Sequence, residues 1–268
     1  MTACHRLIAD RRSGGKWWAL GMVFGVGSTM ALWPTLRASD EIDKVVQDLP
    51  TSMRALIGVQ EGIPLVSAQG YLQARLFSTL LPVLLLVYGV GLGARAIGGA
   101  EEDGTLQLAV TAPVPRRRLA AERLAASLVL VLGLAGIGVA TAIAVGALVG
   151  VFDDLSVARL LVAAAAVTTF ALLHLALAFA VGAAVGRRGP AIGVASAVAV
   201  GGYLLHGLAA SAPALHDARA LSPWWWLLDH NLLVQNPTLL ALGLPALLSA
   251  LLIGVGLLAF DRRDLRFP

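Results

Sequence analysis

Leu160 to Gly186 reads LLVAAAAVTTFALLHLALAFAVGAAVG, a run without one Asp, Glu, Lys or Arg. A helix rises 1.5 Å per residue, so about 20 apolar residues cross a hydrocarbon core of about 30 Å. This run is longer than that. Its single polar ring, His174, stands near the middle, and small residues fill most of the rest. A soluble protein has no place for so long an uncharged helix, whereas lipid solvates it well.

Comparable runs recur along the chain, and the expected spans are about 17–36, 76–94, 124–152, 160–186, 190–210 and 239–260. Composition agrees: 58% of the 268 residues are hydrophobic and 13% are charged, against roughly a quarter charged in soluble domains. The expected fold is therefore an all-α integral membrane protein, a bundle of six transmembrane helices forming one domain over residues 1–268. Cys4 is the only cysteine, which excludes an intramolecular disulfide. The net charge of +4 gives no case for nucleic acid, because the basic residues gather at helix ends, where they set topology.

Those basic residues orient the bundle. With both termini in the cytoplasm, fourteen fall on that side, among them Arg95, Arg116, Arg117, Arg118, Arg187, Arg188, Arg262 and Arg263. Six fall outside: Arg37, Lys44, Arg54, Arg75, Arg159 and Arg219. The asymmetry predicts cytoplasmic termini. Arg11 to Lys16 before an apolar run also has the look of a secretory signal peptide. The length of the run and Arg37 at the would-be scission point favour an uncleaved first span, preceded by a cytoplasmic amphipathic segment.

The segments between spans carry their own patterns. Residues 38–70, expected outside, hold Ile42, Val45, Val46 and Leu49 at helical spacing among acids, which predicts a short surface helix. Residues 211–238, also outside, contain Trp224, Trp225 and Trp226, read as an anchor at the headgroup level. Glycines recur at four-residue spacing, as at Gly21 and Gly25, Gly89 and Gly93, Gly182 and Gly186, Gly189 and Gly193. Such spacing lets helices approach closely in lipid.

Several chemistries are excluded by residues that are missing. A phosphate-binding loop needs Gly-Lys followed by Ser or Thr. The only lysines are Lys16, followed by Trp17, and Lys44, followed by Val45. No His-Glu-x-x-His pair exists, and one cysteine cannot build a thiolate metal site. None of the six expected spans contains Asp or Glu, which disfavours a proton relay. That leaves His174, with His206 and Arg75 toward the outer ends of spans five and two, as the candidates for lining a translocation path. The alternative for His174 is an imidazole satisfied by a neighbouring helix.

One connection stands apart. Between spans two and three the chain reads Gly99-Ala-Glu-Glu-Asp-Gly-Thr-Leu-Gln-Leu-Ala-Val-Thr-Ala-Pro-Val-Pro-Arg-Arg-Arg118. Glu101, Glu102 and Asp103 precede an apolar stripe of Leu106, Ala109 and Val110, as suits a helix N-terminus. Pro113 ends that pattern. Residues 99–118 are thus expected to form an inner-surface helix that is acidic, then apolar, then basic.

This segment resembles that of the ABC-2 family of transporter permeases, in which Glu-Glu-x-x-Gly-Thr-Leu-Glu-Leu-Leu and then Pro-x-Ser-Arg stand between the second and third spans. Glu101, Glu102, Gly104, Thr105, Leu106, Leu108, Pro113 and Arg116 match. Asp103 lies inside the acidic cluster, which sits about one residue closer to Gly104 than usual. Gln107 replaces an acid and Pro115 a serine. Phe260-Asp-Arg-Arg-Asp-Leu265 is similar to the family's ending after its last span, and Leu221-Ser-Pro-Trp224 to an element of its last outer loop.

The resemblance implies a multi-pass exporter permease in a bacterial plasma membrane, an origin that the bias of arginine over lysine also suggests. It implies a permease dimer, of like or related chains, bound to two separate ATPase subunits that hold ATP and Mg. Glu101 to Arg116 would couple to the ATPase, and the substrate would leave through a cavity between the permeases, lined by spans one, two and five. Few aromatics and no buried charge on those spans suit an amphipathic drug, antibiotic or lipid. A non-transport assembly or anchoring subunit, and a secondary carrier, are the competing classes.

Overall fold

The computed structural model describes residues 12–37, 48–50, 53–54, 63–106, 115–229, 231–235 and 239–263. The amphipathic segment expected before Arg12 lies outside these residues, as do Leu108, Pro113 and most of the surface helix expected after Ala38. Among the described residues every regular element is helical, and six helices are long and apolar enough to cross a membrane.

The first span runs Gly14–Arg37, the second Ala68–Glu102, the third Arg116–Leu148, the fourth Val157–Val185 and the fifth Arg188–Ala209. The sixth runs Leu239–Arg262. Local chemistry sets these ends. The Ser67 hydroxyl accepts from the Gly70 amide at 3.0 Å and caps the second span. Ser156 does the same for the fourth, accepting from the Ala158 amide at 3.2 Å. Glycines with positive φ, Gly150 and Gly186, terminate the third and fourth.

Spans two and three are longer than hydropathy suggested. The second begins at Ala68 and continues past Arg95 to Glu102, with π-helical stretches at Gln73–Leu80 and Arg95–Gly99. The third starts at Arg116 and carries Arg123 in a buried turn. Arg123 interrupts the apolar window without ending the helix, because its Nη1 donates to the Ala96 carbonyl at 3.2 Å. Residues 99–118 are consequently not one helix. Gly99–Glu102 complete span two and Arg116–Arg118 begin span three.

The fourth span is the hub, packing along the second, fifth and sixth, while the first lies on the third. Glycine permits the closest approaches. A Cβ on Gly93 would stand 3.1 Å from the Phe179 amide nitrogen, and one on Gly89 3.4 Å from the Ala171 carbonyl, so spans two and four touch through backbone. Gly256 places span six equally close to Ala180 of span four. The Gly189 and Gly193 pair meets nothing within 4 Å; its spacing does not mark a contact. Spans one, three, five and six turn residues such as Phe24, Leu132, Val200 and Leu251 outward.

Candidate functional site

The ends at Glu102, Arg116, Val185, Arg188 and Arg262 meet at one end of the bundle. The last turns of span two approach the start of span five so closely that a Cβ on Gly98 would stand 2.7 Å from the Arg187 carbonyl carbon. One turn on, Glu101 points into the bundle, its side chain 9% exposed, and meets Arg263 just beyond span six. Arg263 donates from Nη1 to Glu101 Oε1 at 3.1 Å and from Nη2 to Oε2, a two-pronged pair. Gly186 lies directly beneath, with φ +74°, and a Cβ there would reach within 2.8 Å of both carboxylate oxygens.

Span three reaches the same spot. Arg116 Nη1 donates to the Arg263 carbonyl at 3.2 Å, and Arg117 Nε donates to Asp261 Oδ2 at 2.8 Å. Arg118 pairs within its own helix, with Glu122 at 3.2 Å. Beneath these polar contacts lies an apolar floor in which Leu106, Leu119, Phe179 and Phe260 are buried together. The two flanks of the connection between spans two and three therefore rest on one object, the end of span six.

The connection leaves span two through Gly104. Its φ of +69° is the left-handed turn that glycine adopts readily. The Gly104 amide donates to the Glu101 carbonyl at 3.1 Å, and the Thr105 hydroxyl to the Ala100 carbonyl at 3.2 Å. Leu106 turns inward, 1% exposed, while Glu102, Asp103 and Thr105 face out. The residues of this segment thus divide: Glu101 and Leu106 hold the connection to the bundle, and Glu102 and Asp103 are presented beyond it.

At the opposite end, Ser222-Pro-Trp224 docks on span five. The Ser222 hydroxyl donates to the Gly202 carbonyl at 2.7 Å and accepts from the Trp224 amide at 3.2 Å. Trp224 Nε1 donates to the Ala199 carbonyl at 2.8 Å, and Trp226 Nε1 to the Ala220 carbonyl at 2.7 Å. Both indoles are buried, which corrects their reading as headgroup anchors. Trp225 is the more exposed ring, with the Arg219 guanidinium 5.4 Å from its centroid.

A ladder of rings runs inward from there. Tyr203 meets Trp224 at 5.0 Å, Trp224 meets Phe170 at 4.8 Å, and Phe170 meets His174 at 4.6 Å between centroids. His174 is fully enclosed. Its Nδ1 bonds the Phe170 carbonyl of its own helix at 2.9 Å, and Nε2 has no hydrogen-bond partner. His206 is also buried, on span five, whereas Arg75 is exposed on span two. His174 is thus enclosed within span four's packing, while Arg75 faces outward from span two.

Sequence reasoning missed what Arg263, Asp261 and Gly186 do together. The Phe260 to Leu265 ending was visible as a motif, but no local pattern says that its arginine closes on Glu101.

A family model described as "ABC-2 family transporter protein" matches residues 8–265. No curated protein and no solved structure matches the chain. The family match covers the six helices and the joint where spans two, three, four and six converge. The chain belongs to the ABC-2 family of transporter proteins, as a membrane-spanning permease subunit.

Proposed function

We propose that this permease works in an ATP-driven exporter, moving an amphipathic or hydrophobic molecule outward with energy from a separate ATPase subunit that binds ATP and Mg. The observation that carries the reading is the exposed acidic tip, Glu102 and Asp103, projecting from the joint at Gly104. It stands at the end of the bundle richest in arginine, the end that faces the cytoplasm by the usual charge rule. An ATPase with a basic groove would bind it there. The outward residues of spans one and five are apolar, among them Trp17, Phe24, Val200 and Leu204, as suits a second permease copy and an apolar substrate. Two permeases with two ATPases is the expected assembly.

Glu101 is drawn into the bundle by Arg263, so the partner-facing charge is assigned to Glu102 and Asp103. Reversing both, Glu102→Lys with Asp103→Lys, is expected to lower retention of the ATPase on tagged permease by roughly tenfold, about 1.4 kcal/mol, between rim and buried charge pairs. Permease-dependent ATP hydrolysis should fall with it. Unchanged retention and unchanged hydrolysis at equal permease abundance would remove the basis of this proposal.

A further inference from the structure

We infer that the end of span six is a latch that carries movement of the span two–three connection into the bundle, with Glu101 and Arg263 as its positioning residues. The inference rests on the exporter reading above. Its structural basis is the double attachment of span six. On one flank Arg263 grips Glu101 of span two through its two terminal guanidinium nitrogens, Nη1 and Nη2. On the other flank Arg117 holds Asp261 at 2.8 Å and Arg116 holds the Arg263 carbonyl at 3.2 Å. A partner that shifts Glu102 and Asp103 cannot move the connection without moving Arg263 or breaking this pair.

Span six in turn has little freedom to move alone. Gly256 lies against span four, where a Cβ would meet Ala180 Cα at 3.0 Å, and Phe260 is buried with Phe179 and Leu106. Gly186 seals the latch from below, since any side chain there would strike the Glu101 carboxylate. Packed helices of this kind shift between discrete arrangements and do not bend continuously. A pull at the connection is therefore delivered to spans six and four together, around the buried centre at His174. Glu101 and Arg263 act through the elements they join.

The test uses the full permease with its ATPase, reconstituted in liposomes, in a Cys4→Ser background. A nitroxide spin label is attached through Leu258→Cys, on the outward face of span six. Trapping with ATP and vanadate should change its spectrum when the latch is intact. Glu101→Gln and Arg263→Gln should each keep the ATPase bound yet abolish that change, and should lower permease-dependent hydrolysis about fivefold or more. The exchanged pair, Glu101→Arg with Arg263→Glu, should restore part of both signals, which a merely destabilised variant would not. If the Gln variants do not reach the membrane, Arg263→Lys carries the test, because it keeps the charge and loses the two-pronged grip. A full span-six response in the single variants overturns the latch alone. Loss of ATPase binding in Glu101→Gln also overturns it, by making Glu101 a docking residue. A wild-type permease that retains no ATPase overturns the exporter reading and the latch with it.

Discussion

His174 shows what a single side chain contributes here. A carbonyl can only accept, so the 2.9 Å bond to Phe170 puts a ring hydrogen on Nδ1 and leaves the buried Nε2 without a partner. An unpartnered buried polar atom costs free energy, and replacing it by an apolar group of similar size can be neutral or stabilising. Removing the volume is a different matter, because the ring fills space against Phe170 in the middle of span four. His174→Ala is expected to lose about 2–5 kcal/mol and to lower the thermal unfolding midpoint in detergent. His174→Leu should stay near wild type in both unfolding and permease-dependent hydrolysis. A leucine variant that folds normally but loses hydrolysis would make the imidazole functional, contrary to this account.

Helices in this bundle are held together by where side chains are absent. Gly93 lets span two reach the backbone of span four, while Gly91, two residues earlier, meets nothing within 4 Å. Gly93→Leu should overpack that contact by roughly 1–3 kcal/mol or more and cut the yield of monodisperse protein on size exclusion. Gly91→Ala should leave it unchanged, and equal behaviour of the two would refute the assigned contact. This contrast also marks what the sequence could reveal. Uncharged length exposed all six helices, because lipid imposes it directly. The four-residue glycine spacing occurred at Gly89 and Gly93, where it is used, and at Gly189 and Gly193, where it is not; spacing alone does not say which face has a neighbour. Helix ends were misjudged where an arginine finds a partner: Arg123 with Ala96 and Arg117 with Asp261 lie far apart in sequence. The indole of Trp224 escaped the pattern for the same reason, since its acceptor, the Ala199 carbonyl, lies on span five, whereas Trp226 bonds locally to Ala220.

Across the whole molecule, six crossings bring the described chain back to the end from which it started, with Arg12 and Arg263 both there. That end carries Arg95, Arg116, Arg117, Arg118, Arg187, Arg188 and Arg262, and the opposite end carries Arg37, Arg159 and Arg219. Basic flanks resist translocation, so the arginine-rich end should remain in the cytoplasm. The proposed coupling depends on this, because the proposed ATPase draws on cytoplasmic ATP and would meet Glu102 and Asp103 on its own side. The two ends can be told apart chemically. Ser211 is exposed at the Trp224 end, and Ser13 stands at the start of span one. In a Cys4→Ser background, a membrane-impermeant maleimide should label the Ser211→Cys variant in intact cells, and the Ser13→Cys variant only after permeabilisation. The reverse pattern would place the acidic tip outside the cell, out of reach of any ATP-driven partner. It would leave the helical bundle standing and dismiss the coupling role assigned to the joint at Gly104.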